Sequence, residues 1–327
     1  MSALYPLKFK TIFKDKIWGG EKIRTILQKD FAPLKNCGET WEISGVKGNV
    51  SEVENGPLAG KKLTELIQEF KGELVGEKVY RDSGDEFPLL VKFIDANEDL
   101  SIQVHPGDEL AYKRHQSLGK TEMWYIMQAD KGSKLISGFN QPVDKAKYLQ
   151  HLQNKNLDQI LNQEDVSADD VFFIPGGRVH TIGKGLLLAE IQQSSDVTYR
   201  IYDFERTDDA GNKRELHTEE ALDAIDYQQY DAYKTRYEPR MNEAVALVKN
   251  NYFTTNVLHL NKPLSRNYHN LDSFVIFVCL EGEANLKYGS CEMPVKAGDC
   301  LLLPASLKQV SFEPVSEFKV LESFVEQ

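Results

Sequence analysis

Polar side chains occupy inward positions in two strands that the sequence predicts. Gln103 and His105 alternate in SIQVH, so both side chains leave the same face of an extended strand. Glu122 begins EMWYIMQA, immediately before an apolar run. His180 ends a D-x-hhh-P-x-x-x-x-H phrase, in which h is an apolar residue, and this phrase places a second imidazole at the start of another strand. A strand that packs a core has no reason of its own to present these four groups.

Two imidazoles, one carboxylate and one amide oxygen form a set of nitrogen and oxygen ligands. Such a set suits zinc, manganese, iron, cobalt or nickel and leaves a coordination position for water or substrate. Because the set contains no thiolate, it is typical of a catalytic site rather than a structural one. A single strand histidine is more often a structural residue, and the occurrence of all four groups together favours a metal site. The residues alone leave the identity of the metal open.

Composition and charge narrow the class of protein. The 327 residues carry a net charge of −11, which disfavours nucleic acid as the main partner, although a few local cations still suffice for a small anionic ligand. The N-terminus has no apolar signal core, and no apolar run has the length of a membrane-spanning helix. The four cysteines show no CxxC spacing. We therefore expect a cytoplasmic protein with reduced thiols that is not associated with a membrane.

Short segments rich in β-branched and aromatic residues dominate the chain and indicate a mainly β fold, a sandwich or a barrel. Examples are FPLLVKFIDA, SKLISGF, DDVFFIP, LLLAEIQQ and SFVIFVCLEG. Apolar residues at helical spacing predict three small helical segments, at about 61–80, 141–163 and 218–226. The polar stretch 106–119 is expected to be a loop. It would join the strand that contains Gln103 and His105 to the strand that begins at Glu122.

An internal repeat divides the chain. SADDVFFIPGGRVHTI (167–182) aligns with KAGDCLLLPASLKQVSF (296–312), so that His180 falls on Gln309. Upstream, Glu122 falls near Asp272. Two copies of one β-unit, the second without the histidine, predict two related β-domains with one functional site. We expect the boundaries 1–240 for the catalytic domain and 241–327 for the degenerate one.

Longer motifs carry a family resemblance. SIQVHP, GKTEMWY and PGGRVHTIGKGLLLAEIQQSSDVTYRIYDFER, together with DKIWGG and PLLVKFIDA, resemble the short bacterial class of type I mannose-6-phosphate isomerases in the cupin superfamily. The resemblance covers most of residues 5–225 and continues more weakly to the C-terminus. It implies two jelly-roll cupin domains and one zinc ion held by Gln103, His105, Glu122 and His180. It also implies interconversion of mannose 6-phosphate and fructose 6-phosphate through a cis-enediol.

The resemblance also assigns roles around the metal. It implies that Arg200 and Lys120 are catalytic and that Ser101, Lys92 and Asp196 contact the substrate. Arg200 is expected to stabilise the enediolate or to hold the phosphate, because a guanidinium stays protonated. The general base is left open between Asp196, Lys120 and a metal-bound water. Longer members of the family place a histidine where this chain has Gly119.

Two other functions remain to be weighed. A cupin oxygenase would use a redox-active iron, which usually takes more histidine than this set offers. A non-enzymatic sugar-binding or regulatory cupin would be favoured by degenerate ligands, and the C-terminal copy alone shows these. For the isomerase we expect a small sugar phosphate as the partner and a monomer or weak homodimer.

Overall fold

The computed structural model describes residues 4–207 and 210–326 and is mainly β, as the sequence predicts. The strands of the first part are β1 (Leu7–Lys8), β2 (Ile12–Lys14), β3 (Glu39–Ile43), β4 (Leu89–Ala96), β5 (Ile102–Val104), β6 (Glu122–Ala129), β7 (Lys134–Phe139), β8 (Leu161–Asp165), β9 (Val171–Ile174), β10 (His180–Ile182), β11 (Leu186–Gln193), β12 (Tyr199–Tyr202) and β13 (Lys234–Thr235). Those of the second part are β14 (Ala244–Lys249), β15 (Thr254–Leu260), β16 (Leu264–Asn267), β17 (Val275–Glu281), β18 (Glu283–Tyr288), β19 (Cys291–Lys296), β20 (Cys300–Leu303), β21 (Gln309–Pro314) and β22 (Phe318–Phe324).

Helices are short and connect the strands. They are α1 (Lys22–Thr25), α2 (Leu63–Phe70), α3 (Gly72–Val75), α4 (Glu77–Ser83), α5 (Asp108–His115), α6 (Lys145–Gln153) and α7 (Thr218–Ala224), with 3₁₀ turns at Gly56–Leu58 and Leu157–Gln159. Within the described ranges, no helix is long and apolar enough to cross a membrane.

The strands form two antiparallel sandwiches. In the first, a seven-stranded sheet of order β13-β9-β6-β11-β4-β3-β2 lies against a five-stranded sheet of order β12-β5-β10-β7-β8. In the second, a six-stranded sheet of order β1-β20-β17-β22-β15-β14 lies against a four-stranded sheet of order β16-β21-β18-β19. The two larger sheets share one apolar core that contains residues of both sandwiches, so each larger sheet is covered on both faces.

Coverage on both faces explains the unbroken apolar runs in the central strands. Along β11, Leu187, Ala189 and Ile191 belong to the core shared by the two sandwiches, whereas Leu186 and Leu188 face the inside of the first sandwich. Because side chains alternate along a strand, Glu190 and Gln192 also point inside. Polar residues in such a strand are therefore directed at one cavity rather than at solvent.

The sandwiches repeat one strand order, β9-β6-β11-β4 in the first and β20-β17-β22-β15 in the second. The strand registers correct one sequence alignment. Glu122 pairs with Ile174, and the matching strands of the second sandwich pair Val275 with Leu303. The residue at the position of Glu122 is thus Val275, and the expected match with Asp272 is wrong. Asp272 instead accepts hydrogen bonds from the first amides of α4.

Two local predictions were also wrong. The stretch 106–119 contains α5 rather than being a loop throughout. This helix has a weak apolar face, but acidic residues occupy its first turn and basic residues its last, which favours its macrodipole. The helical pattern at 141–163 extends too far, because α6 ends at Gln153 and Leu161 begins β8.

The division at residue 240 stays a prediction. One strand crosses it, because β1 near the N-terminus pairs with β20 of the second sandwich. There it occupies the edge position that β13 occupies beside β9 in the first sandwich.

A substitution at Gly76 tests how closely the two sandwiches pack against each other. Its φ is +98°, and an added Cβ would lie 2.4 Å from the backbone oxygen of Asp272. We expect Gly76→Ala to lower the free energy of unfolding by about 1–3 kcal/mol beyond the cost of the positive φ alone. Gly60→Ala is the matched control, since Gly60 has a φ of +91° and nothing within 4 Å of the added Cβ. Equal losses in urea unfolding would show that the contact does not constrain this position.

Candidate metal centre and active site

The sheets of the first sandwich bring the predicted ligands together from opposite sides. His180 pairs with Gln103 across β10 and β5, while Glu122 begins β6 in the facing sheet. The Nε2 atom of His105 lies 3.3 Å from Oε1 of Glu122, and that of His180 lies 4.0 Å from Oε2. One ligand atom from each of the three residues lies within 4.8 Å of the others. This spacing suits a single metal ion.

Backbone carbonyls fix the tautomer of both imidazoles. The Nδ1 atom of His105 lies 2.9 Å from the carbonyl oxygen of Val197, and that of His180 lies 2.8 Å from the carbonyl oxygen of Arg178. A carbonyl oxygen can only accept, so each Nδ1 carries the hydrogen. Each Nε2 therefore directs its lone pair toward Glu122, as metal-binding histidines do.

The centre contains buried polar atoms that no hydrogen bond satisfies. His105, Glu122 and His180 are at most 1% exposed. Nε2 of His105 and both carboxylate oxygens of Glu122 make no hydrogen bond to any described residue. Such atoms are costly to bury without a partner. A divalent cation between them would satisfy all three, so the donor set fits the metal that the sequence predicts.

Gln103 lies at the edge of this group. Its Nε2 is 3.3 Å from Nε2 of His180, and its Oε1 accepts a hydrogen bond from the Ser101 hydroxyl at 3.3 Å. A turn of the terminal amide would exchange the two atoms and direct the oxygen to His180. The side chain is therefore placed where an amide oxygen can become a fourth ligand.

The electrostatics hold the ligands in the ionisation states that a metal requires. Burial alone would raise the pKa of Glu122, but the Lys120 ammonium at 3.1 Å holds it well below its usual value. Burial, assisted by Lys120, lowers the pKa of His105 to about 3, and burial likewise lowers the pKa of His180. At neutral pH the carboxylate is charged and the imidazoles are neutral.

A cavity of about 270 Å³ adjoins the centre. The structure brings together in its wall all five predicted catalytic and substrate-binding residues, along with the amide ligand, namely Lys92, Ser101, Lys120, Asp196, Arg200 and Gln103. The wall also contains residues that the sequence analysis missed, among them Lys16, Trp18, Glu39, Glu190 and Arg214. For Glu39 and Glu190 there was a signal in the sequence, since each is a charge in or at the end of an apolar strand.

Lys92 and Glu190 form a buried ion pair across β4 and β11, with Nζ 2.9 Å from Oε1. Trp124 donates a hydrogen bond to the other oxygen of Glu190 at 2.8 Å. Burial favours the neutral form of both groups, but Glu190 and Glu39 together raise the pKa of Lys92. Burial and the charge of Glu122 raise the pKa of Glu190. The pair gives the cavity a rigid charged wall.

Arg200 enters the cavity from β12. Its Nη1 donates to the carbonyl oxygen of Glu215 at 2.7 Å, while its Nε has no hydrogen-bond partner within the described part of the chain. Burial and the neighbouring Arg214 lower the pKa of Arg200. Asp203 accepts hydrogen bonds from both Arg206 and Arg214 and thereby holds the latter at the cavity. Because Arg200 lines the cavity, its guanidinium is a possible donor for an anionic ligand there.

A larger groove of about 770 Å³ lies on another face of the molecule, where α6, the turn after it and residues 202–205 surround Ile136 and Ile201. None of the candidate ligands lines this groove. The smaller cavity is thus the one next to the chemistry, because it alone of the two adjoins the unsatisfied carboxylate.

Comparisons with known proteins agree with this geometry. Residues 6–140 match the model of the phosphomannose isomerase type I catalytic domain, and residues 243–322 match the model of the mannose-6-phosphate isomerase cupin domain. The chain is 35% identical to the mannose-6-phosphate isomerase ManA of Bacillus subtilis over 95% of this chain and 97% of that one. It is also 35% identical to the mannose-6-phosphate isomerase of Streptococcus mutans over 94% and 95% of the two chains.

Solved structures give the same result. A crystal structure of the mannose 6-phosphate isomerase from Bacillus subtilis superposes with a TM-score of 0.87 at 33% identity, covering 97% of this chain and 99% of that one. A phosphomannose isomerase from Salmonella typhimurium superposes with a TM-score of 0.81 at 15% identity, covering 98% and 100% of the chains. The second likeness shows the shared cupin fold alone.

The carboxylate of Glu39 is expected to contribute to the free energy of unfolding in a pH-dependent way. Although burial opposes it, the charges of Lys92 and Lys16 lower the pKa of Glu39 to about 2, from a usual value of 4.5. Since the folded pKa is depressed, its stabilisation is present above pH 4.5 and is lost as the pH falls toward 2. We expect Glu39→Gln to be less stable than wild type at pH 7, and the difference to shrink by up to about 3 kcal/mol toward pH 2.

Urea unfolding from pH 7 to pH 2 measures this difference. Glu69→Gln is the control, because its carboxylate forms an exposed ion pair with Lys61. A difference between Glu39→Gln and wild type that stays constant with pH would contradict the assignment.

Proposed function

The chain belongs to the type I phosphomannose isomerase family, and on that premise we propose that it interconverts D-mannose 6-phosphate and D-fructose 6-phosphate. One observation carries the proposal beyond family membership. A buried carboxylate without a hydrogen bond, that of Glu122, lies between two imidazole lone pairs beside a cavity that is rich in cations.

Gln103, His105, Glu122 and His180 would hold one divalent ion, which we propose to be zinc. When bound, such an ion acts as a Lewis acid that stabilises negative charge developing on a sugar oxygen. His105, Glu122 and His180 exclude water from this point because these three side chains are almost completely buried. Their side chains are also fixed before substrate arrives, since the imidazoles are held by backbone carbonyls.

The reaction moves a proton between C2 and C1 of the open-chain sugar through a cis-enediol. A base must therefore lie within hydrogen-bond reach of both carbons. We assign this role to the neutral amine form of Lys120, which lines the cavity and lies beside the metal ligand Glu122. Asp196 lines the same cavity and is the other protein group that could carry the proton.

The phosphate requires cations placed away from the reacting carbons. The cavity wall contains five basic residues against three acidic ones, an excess that suits a phosphate dianion. Lys16 and Lys92 are already paired with carboxylates, whereas Nε of Arg200 has no hydrogen-bond partner among the described residues. We propose that Arg200 binds the phosphate or the developing enediolate, with Ser101, Lys92 and Asp196 orienting the sugar hydroxyls.

The ligand set disfavours the two alternatives. A carboxylate and an amide beside two imidazoles offer less histidine than a redox iron usually takes, so turnover without oxygen distinguishes an isomerase from an oxygenase. A purely regulatory cupin would not need an intact ligand set in the first sandwich. We further propose a cytoplasmic enzyme that is a monomer or a weak homodimer.

A metal-removal experiment tests the centre. In a coupled assay with mannose 6-phosphate, we expect a chelator to abolish turnover and zinc to restore it. His180→Ala should lower kcat/KM at least about 100-fold, because it removes one ligand and leaves the carboxylate of Glu122 unsatisfied. His269→Ala is the matched control, since His269 follows Asn267 in the second sandwich as His105 follows Gln103 in the first. Unchanged turnover after metal removal would overturn the mechanism.

Solvent isotope exchange tests the proton route. If the proton passes through a cis-enediol, fructose 6-phosphate formed in D₂O carries deuterium at C1, because a protein base exchanges its proton with solvent during some turnovers. NMR of the product measures this incorporation. Its complete absence would indicate a direct hydride shift and contradict the assignment of a protein base.

A further inference from the structure

We propose that Tyr252 of the second sandwich and Asp108 of the first are positioning residues that hold Lys120 in place for catalysis. The inference rests on the proposed function, in which Lys120 is the proton-transfer residue. It gives the second sandwich, whose own ligand positions are degenerate, a direct part in the active site.

The segment that carries Lys120 is held by its backbone. Three consecutive amides each donate a hydrogen bond to the first sandwich: that of Gly119 to Oδ1 of Asp108 at 2.8 Å, that of Lys120 to the carbonyl oxygen of Pro106 at 3.1 Å, and that of Thr121 to Oε1 of Gln193 at 2.9 Å. Residues on both sides of Lys120 are thus fixed through two side chains, Asp108 and Gln193.

These two side chains are joined to each other. Nε2 of Gln193 donates to Oδ1 of Asp108 at 2.9 Å, so the same carboxylate oxygen accepts from Gln193 and from Gly119. Burial would raise the pKa of Asp108, but hydrogen bonds from Tyr252, Gln193 and Gly119 outweigh it and lower that pKa. The carboxylate is therefore ionised at neutral pH and accepts all three.

The remaining oxygen of Asp108 is bound from the second sandwich. The hydroxyl of Tyr252 donates to Oδ2 of Asp108 at 2.6 Å. Burial, with the contact to Asp108, raises the pKa of Tyr252 to about 12, so the phenol keeps its hydrogen. Tyr252 lies in the turn between β14 and β15, and this turn is closed by Asn250, which accepts from the amides of Tyr252 and Phe253. Phe253 is completely buried in the shared core.

The segment that carries Lys120 packs tightly against the start of α5. A Cβ added at Gly119 would lie 2.6 Å from the amide nitrogen of Asp108 and 2.8 Å from its Oδ1. No side chain fits between the segment and α5, which explains why this chain has glycine at the position. A chain of short contacts therefore runs from the shared core to the backbone of Lys120.

A double-mutant cycle tests the role in the complete enzyme. We expect Tyr252→Phe to lower kcat about tenfold with KM changed less than about twofold, because a small displacement of a catalytic group affects chemistry more than binding. In a Lys120→Ala background the same substitution should cost less than about twofold. Gly119→Ala should show the same pattern. Equal losses in both backgrounds would mean that Tyr252 acts as a general structural residue and would overturn the proposal.

Tyr237→Phe is the control, since the Tyr237 hydroxyl donates to the backbone oxygen of Asp169 rather than to Asp108 or to the segment of Lys120. Hydrogen exchange supplies a measurement that needs no turnover. Tyr252→Phe should speed exchange of the amides of residues 119–121 about tenfold, and Tyr237→Phe should not. Unchanged exchange would overturn the proposal even if the chain proved inactive on mannose 6-phosphate, so its failure and that of the proposed function remain distinguishable.

Discussion

The burial of the Glu122 carboxylate is the constraint on which the active site depends. A charged group at the inner end of β6 has lost its water, and the hydrogen bonds of the described protein do not replace it. Two features of the surroundings can offset this desolvation cost. Lys120 approaches the carboxylate from the cavity, and two imidazole lone pairs leave a space for a cation. The proposed metal site and the cost of burying this charge thus have the same origin.

The alternation of side chains along the strands allows buried charged groups and a stable apolar core in the same sheet. In β4, β6 and β11, one set of side chains fills the core between the two sandwiches and the other set faces the inside of the first sandwich. The apolar set stabilises the strands, so the inward set is free to carry Lys92, Glu122 and Glu190. The second sandwich repeats the strand order with Val275 at the position of Glu122. With an apolar residue there, no cation is required, and that sandwich supports the first through packing and through Tyr252.

The sequence allowed much of this site to be predicted, because period-two alternation places Gln103 and His105 on one face and because the repeat isolates His180. The mainly β class followed from short β-rich segments. What escaped prediction depends on contacts between distant parts of the chain. In the sequence, Glu190 is a single charge in an apolar strand, and its pairing with Lys92 could not be predicted from it. Helix α5 lacks a clear apolar face, so periodicity did not reveal it. The misplacement of Asp272 arose because a shift of three residues in strand register cannot be detected from a weak alignment.

The position of β1 has a consequence for synthesis of the protein. Leu7 pairs with Leu302, so β1 cannot pair with β20 until a much later part of the chain has been synthesised. At typical elongation rates the interval is about 15 to 60 s. Until β20 emerges, the apolar face of the seven-stranded sheet also lacks its cover, since that face packs against residues of the second sandwich. A nascent chain stalled after the first sandwich would therefore contain the proposed metal ligands and still expose an apolar sheet face, which favours binding by chaperones.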